Sequence, residues 1–265
     1  MHISRTIEQW ICRREGALSG RAIGFVPTMG ALHRGHASLV ERCRAENEAV
    51  VVSIFVNPAQ FNDPRDLERY PRTLESDLAL LEGLGTDEII LAPASDFYPH
   101  GYRFRVEADS LTTTMEGAFR PGSLQGVMTI VLKLLNLVRA RRAYFGEKDY
   151  QQLRIVTEMA AEFFIPTEIV PCPTVREPSG LAASSRNALL SAAAREKAAL
   201  IFRALTTAAT AAEARSRLEA EGFRVDYVEE EWGRRLAAAF IEGVRLIDNV
   251  PLPSHETGDG DAALS

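Results

Sequence analysis

A chain of 265 residues is long enough for one large α/β domain or for a domain with a smaller companion. At this size about 75 % of the unfolded surface is buried on folding, so neither disulfides nor a structural metal is needed. Apolar residues at 46 % and charged residues at 25 % exclude fibrous and disordered classes, and a net charge of −6 argues against general nucleic-acid binding. A small anion is still admissible, because a few local donors can hold a phosphate on an acidic protein.

The N-terminal MHISRTIEQWICRR has no apolar signal-peptide core, and no run of about 18 apolar residues occurs. Cys12, Cys43 and Cys172 offer neither a disulfide framework nor a zinc knuckle. The expectation is a cytoplasmic protein without a membrane partner.

In chain order, Ala22 to Val26 and Val50 to Val56 are short β-branched runs suited to strands of a parallel sheet buried on both faces. Helical spacing from His36 to Ala45 lies between them, which makes a βαβ unit of a doubly wound sheet. Pro71 opens a second helical pattern, and Glu88 to Leu91 is the next predicted strand. Gly126 to Val138 is apolar nearly all round and is predicted as a buried helix. A strand at Ala143 to Phe145, a helix from about Asp149 to Phe164 and a strand at Glu168 to Pro171 follow.

The Pro- and Gly-rich PCPTVREPSG marks a predicted boundary. Residues 1–173 then form a Rossmann-like domain, 174–250 a small α+β C-terminal lid domain, and 251–265 a disordered polar tail. The second part is predicted to hold one alanine-rich helix from about Ser191 to Ala220. A short strand at Val225 to Val228, a helical run from Glu230 to Gly243 and the apolar VRLIDNV complete it.

The chemistry begins at PTMGALHRGHASLV, Pro27 to Val40. It lies where a strand gives way to a helix, and such turns present free N–H groups and about half a positive charge to an anion. Two of the five histidines, His33 and His36, fall here, and an imidazole can donate to phosphate oxygens as charge builds on them. An isolated His-x-x-His is as often a pair of unrelated loop histidines. A metal site is less favoured, because no third ligand stands at suitable spacing.

Asn57 and Gln60 follow the second strand, Lys148, Gln151 and Gln152 follow another, and Ser184, Ser185 and Arg186 open the second part. Each segment alone reads as a solvated turn, a loop or a helix cap. Four in succession at strand ends or the boundary point to anion handling.

The HxGH element resembles the nucleotidyltransferase superfamily. Together with SIFVNPxQF, YPRTLxxDL, FGEKDYQQL, TVREPSGLAASSRN and RLIDN, it resembles the pantothenate synthetases (pantoate–β-alanine ligases) from about Ile23 to Asn249. That resemblance implies a homodimer that uses ATP and Mg²⁺ to join pantoate to β-alanine through an acyl-adenylate. It implies that Met29, Gly30, Ala31, Leu32, His33, Arg34, Gly35 and His36 line the ATP site with Gly146, Glu147, Lys148 and Asp149. Val175, Ala183, Ser184, Ser185 and Arg186 would close over the nucleotide. His36, His33 and Lys148 would be catalytic, Gln60 and Gln152 would hold pantoate, Gln60 would also touch β-alanine, and Asp77 would lie near magnesium.

The sequence departs from the family pattern at Ser123 and Leu124, where histidine and phenylalanine are usual, and at Ala59, where methionine is usual. Its second part is also shorter. Serine at 123 could cap the buried helix. The rival readings are another HxGH nucleotidyltransferase, which would need a basic acceptor pocket, and a degenerate ATP- or pantoate-binding homologue without catalysis.

Overall fold

The computed structural model describes residues 1–253. Six parallel strands form the main sheet: β1 (His2–Ser4), β2 (Ile23–Thr28), β3 (Ala49–Ile54), β4 (Glu88–Ile90), β5 (Arg142–Gly146) and β6 (Glu168–Cys172). Their order is β1-β4-β3-β2-β5-β6. The chain winds outward from β2 to β4, then returns to lay β5 on the other side of β2. That reversal opens a crevice at the carboxyl ends of β2 and β5, where open α/β sheets bind ligands.

Alternation along each strand explains why both faces are covered. Phe25, Val51, Ala143 and Phe145 point into one core, with Trp10 of α1 (Ile7–Glu15), α7 (Ser123–Val138) and α8 (Tyr150–Glu162). Val26, Val50, Val52 and Tyr144 point the other way, against Leu39, Val40 and Cys43 of α2 (Arg34–Glu46) and Leu81 of α4 (Leu74–Gly83). This is the doubly wound α/β architecture expected from the apolar runs.

The helical pattern at Pro71 begins later than predicted, at Leu74, and a short helix α3 (Pro64–Arg69) precedes it. Two one-turn helices, α5 (Ala94–Phe97) and α6 (Glu116–Phe119), lie between β4 and α7.

The second part corrects two expectations. The alanine-rich stretch is two helices, α9 (Ala192–Thr207) and α10 (Ala211–Ala220), because Thr210 accepts from the Glu213 N–H and starts a new helix. The stretch from Glu230 to Gly243 is not helical. It belongs to a three-stranded antiparallel sheet of β7 (Arg224–Glu231), β8 (Arg234–Ile241) and β9 (Val244–Pro251).

Trp232-Gly233 and Glu242-Gly243 are the two-residue turns, all four residues having positive φ, as tight hairpins require. Alanines that favour a helix locally are used here because they let helices approach the sheet. Ala237 and Ala239 face α9 and α10, and Ala238 faces the opposite side with Tyr227 and Leu236. The strand reaches Pro251, the first residue of the predicted tail, and residues 254–265 of that prediction lie outside the described residues. No described helix is long and apolar enough to cross a membrane.

The alanine face gives a direct test. Ala237 has no exposed surface, so Ala237→Leu should overpack the sheet against α9 and cost about 1–3 kcal/mol, read as a lower melting temperature. An unchanged melting temperature would mean that this face is not packed.

Candidate active site

β2 ends at Thr28, and the chain must turn sharply to start α2. Gly30 (φ 75°) and Ala31 (φ 49°) adopt left-handed backbone, a conformation that is costly for alanine. Asp77, in the first turn of α4, holds this turn. Its carboxylate accepts from the Ala31 N–H (2.8 Å) and the Leu32 N–H (2.8 Å), and from the Thr73 hydroxyl (3.0 Å).

Asp77 is 3 % exposed and lines neither lobe of the cleft described below. The carboxylate is engaged as the anchor of the loop. Among the described residues no group of three or more His, Cys, Asp or Glu side chains could hold a metal ion.

The turn delivers His33 as the N-cap of α2. The His33 Nδ1 accepts from the Gly35 N–H (3.1 Å), and the His36 Nδ1 accepts from the His33 N–H (3.3 Å). The two rings lie 4.1 Å apart between centroids. Because each Nδ1 is an acceptor, the proton of each neutral ring sits on Nε2, leaving one N–H donor per ring. Burial depresses the basicity of both, with nearby Lys148 adding to the effect: His33 falls to about 3 and His36 to about 4.

Across the crevice, β5 leads into a 3-10 turn, Glu147–Asp149, that carries Lys148. The nearest carboxylate to its ammonium is that of Asp149, 3.8 Å away. Gln152 follows on α8. Its neighbour Gln151 is buried and structural: it bonds the carbonyls of Leu111 (2.9 Å) and Thr114 (3.0 Å) and accepts from the Glu116 N–H (3.0 Å).

Gln60 sits in the turn after β3, held by Asn57. That asparagine is 1 % exposed and donates to Gln60 Oε1 (3.2 Å) and the Gly126 carbonyl (3.1 Å), while accepting from the Tyr98 hydroxyl (2.8 Å). Gly126 is needed for this approach, since a Cβ there would lie 2.2 Å from the Ala59 carbonyl oxygen. The third wall is the segment after β6, where Val175 accepts from the Ala183 N–H (2.9 Å) and Ser184 caps a 3-10 turn carrying Ser185 and Arg186.

These elements enclose one cleft with two lobes. The outer lobe, about 220 Å³, is lined by Met29, His33, Gly35, His36, Gly146, Lys148, Asp149, Val175, Ala183, Ser184, Ser185 and Arg186. The inner lobe, about 120 Å³, lies under the second sheet and includes Arg120, Ser123, Tyr227 and Arg245. Gln60 and Gln152 line both.

Five of the expected nucleotide-site residues lie outside both lobes. Gly30, Ala31 and Leu32 form the anchored turn, and Arg34 is exposed on its outer side. Glu147 is turned toward Arg234, 3.5 Å away. Ser123 is not a cap, because Gly122 holds that position and Ser123 is the first helical residue, 4 % exposed.

Sequence reasoning passed over Arg120, whose guanidinium lies 3.7 Å from both Asp66 and Glu116. Its signal was the RPG run opening α7. Asn249 was visible only as part of RLIDN, with no role.

The crevice at the sheet's switch point, with paired imidazole donors at a helix N-terminus and a lysine opposite, defines a nucleotidyltransferase-type α/β protein. The sequence profile of the family described as Pantoate-beta-alanine ligase matches residues 2–251, and the chain belongs to that family. A pantothenate synthetase of Bdellovibrio bacteriovorus is 53 % identical over 230 residues, covering 87 % of this chain and 92 % of that protein. One from Legionella pneumophila is 47 % identical over 249 residues, covering 94 % and 99 %. Among solved structures, the Francisella tularensis pantoate-beta-alanine ligase, complexed with beta-gamma ATP and beta-alanine, superposes with a TM-score of 0.90. It is 40 % identical over 95 % of this chain and 97 % of that one. The Thermus thermophilus pantothenate synthetase gives 0.87 at 43 % identity, covering 95 % and 99 %.

The two depressed histidines make a pH expectation. A folded-state value below the ordinary 6.5 means that the unfolded chain binds protons first as pH falls. The stability contributed by these neutral rings is complete above about pH 6.5 and is lost as pH falls toward 4 and then 3. Imidazole NMR of the ligand-free protein should show both rings neutral at pH 5.5. A midpoint near 6.5 for either would contradict the buried, cation-facing environment.

Proposed function

We propose that this chain condenses pantoate with β-alanine at the expense of ATP, through a pantoyl-adenylate, releasing AMP and pyrophosphate. The observation that carries this is the pair of Nε2–H donors at the start of α2, facing Lys148 across the crevice with two neutral glutamines beside them. The family to which the chain belongs, and the ATP and β-alanine named for the Francisella ligase, support the same reading.

In this reading the outer lobe takes ATP. A carboxylate oxygen of pantoate attacks the α-phosphorus in line, and the bond to the β-phosphate oxygen breaks. Such a reaction needs positioning and neutralisation of growing charge rather than a covalent nucleophile. His33 and His36, being neutral, act by hydrogen-bond donation. Lys148 and Arg186 supply positive charge, and Ser184 and Ser185 supply hydroxyls.

Gln60 and Gln152, at the junction of the lobes, orient the hydroxy acid without an ion pair. The β-alanine amine then attacks the carbonyl carbon and AMP leaves. Mg²⁺ belongs to this reading as the companion of ATP, held by phosphate oxygens and water. Among the described residues no cluster of donors forms a protein cage for it.

Division at about residue 174 into a nucleotide domain and a C-terminal unit, a homodimer and a cytoplasmic location are part of the same proposal. Leu181 packing with α9 and the second sheet supports that boundary. The rival nucleotidyltransferase reading calls for a basic acceptor pocket, whereas Gln60 and Gln152 stand at the junction.

Two outcomes test the proposal. With ATP, Mg²⁺, pantoate and β-alanine, the nucleotide product should be AMP with pyrophosphate, and pyrophosphate–ATP exchange should need pantoate but not β-alanine. Formation of ADP would remove the adenylate.

Ser123→His should change turnover by no more than about tenfold, or about 1.4 kcal/mol in barrier, because a buried first-turn serine is not an acid or base at neutral pH. A nearly inert native protein revived by Ser123→His would favour the degenerate-homologue reading.

A further inference from the structure

The second sheet grips the turn that carries Lys148. Asn249, on β9, is 1 % exposed and donates from Nδ2 to the main-chain carbonyls of Glu147 (2.9 Å) and Lys148 (2.9 Å). Its Oδ1 accepts from Arg234 Nε on β8 (2.6 Å). Arg234 in turn lies 3.5 Å from the Glu147 carboxylate, and its guanidinium sits 4.5 Å from the centre of the Tyr150 ring. Both donors and the acceptor of one buried primary amide are thus used in holding this turn to the second sheet, a combination that neither a carboxylate nor a hydroxyl can supply.

We propose that Asn249, which borders the inner lobe, is a positioning residue for Lys148: the second sheet sets where the ammonium stands in the cleft, through two main-chain carbonyls. This rests on the reading of Lys148 as the cation that meets the phosphates. The physical reason is that a 3-10 turn is a weak platform, with poorer hydrogen-bond geometry than an α-helix. A flexible four-carbon stem adds its own freedom. Fixing the carbonyls on either side of the Lys148 Cα removes the backbone share of that freedom. Displacing a catalytic group by about 1 Å can cost about a hundredfold in rate.

The test is a double-mutant cycle on the full chain, with kcat at saturating substrates and melting temperature read for every variant. Asn249→Ala should lower kcat by about 10- to 100-fold in the native background. In a Lys148→Ala background it should add no more than about twofold, because the group it positions is gone.

Asn249→Asp, the same shape with an acceptor in place of the donor, should be no better than Asn249→Ala. Should Asn249→Ala fail to fold, Arg234→Met replaces it. That variant leaves the two carbonyl bonds but frees the amide's other end, and it should show a smaller loss with the same non-additivity.

Losses that multiply across the cycle, an unchanged kcat in Asn249→Ala, or full activity in Asn249→Asp would overturn the proposal and leave Asn249 as packing. Normal turnover in Lys148→Ala alone would overturn the phosphate reading itself, and the proposal with it.

Discussion

The cleft depends on one buried carboxylate. β2 runs in the direction of the sheet, α2 must leave it at an angle, and the few residues between them include an alanine in left-handed backbone. Asp77 makes that geometry stable by accepting two consecutive main-chain N–H groups that would otherwise be buried without partners. With the turn fixed, His33 falls at the N-cap of α2 and His36 three residues on, and the same hydrogen bonds that cap the helix decide which nitrogen of each ring is free. The histidines therefore have a structural and a chemical use at once. Their neutrality follows from burial and from the neighbouring ammonium, and in the proposed reaction it would make them hydrogen-bond donors to developing charge rather than reservoirs of charge in the ground state.

The second sheet is tied closely to the first. The Glu116 carboxylate on α6 accepts from the Tyr227 hydroxyl (2.9 Å) and the Arg245 guanidinium (2.8 Å), and Arg245 also reaches Asp226 (2.9 Å). Arg176, after β6, makes a two-pronged pair with Asp248 (2.7 and 2.9 Å). With Asn249, these contacts distribute the RLIDN segment of β9 over three attachments to the rest of the chain. Arg186 adds an ion pair to Asp66 (3.0 Å) across the mouth of the cleft.

Most of the parallel sheet was legible, because strands buried on both faces leave continuous β-branched runs and the βα turns carry their glycines in view. Most of the residues that line the cleft were visible as motifs at strand ends. Three features were not. The alanines of β8 favour a helix locally, and only the Trp232-Gly233 and Glu242-Gly243 turns betray the hairpins. Alanine is there because helices pack closely on that sheet, a tertiary cause that overrides propensity. Asp77 reads as an open acid in a helix's first turn, and only its distance to the Ala31 and Leu32 amides reveals it as an anchor. Asn249 sits at the far end of the chain from the turn it grips, and no local pattern reports so distant a hydrogen bond.

The central claim is that this cleft activates a carboxylate at the α-phosphorus of ATP. Pantoate labelled with ¹⁸O in its carboxylate tests it most directly, with the label followed by mass spectrometry of the nucleotide after turnover with β-alanine. Attack by the carboxylate and later cleavage of the acyl carbon–oxygen bond leave one labelled oxygen on phosphorus, so the AMP should carry a single ¹⁸O. Unlabelled AMP, or label found in inorganic phosphate, would contradict the account.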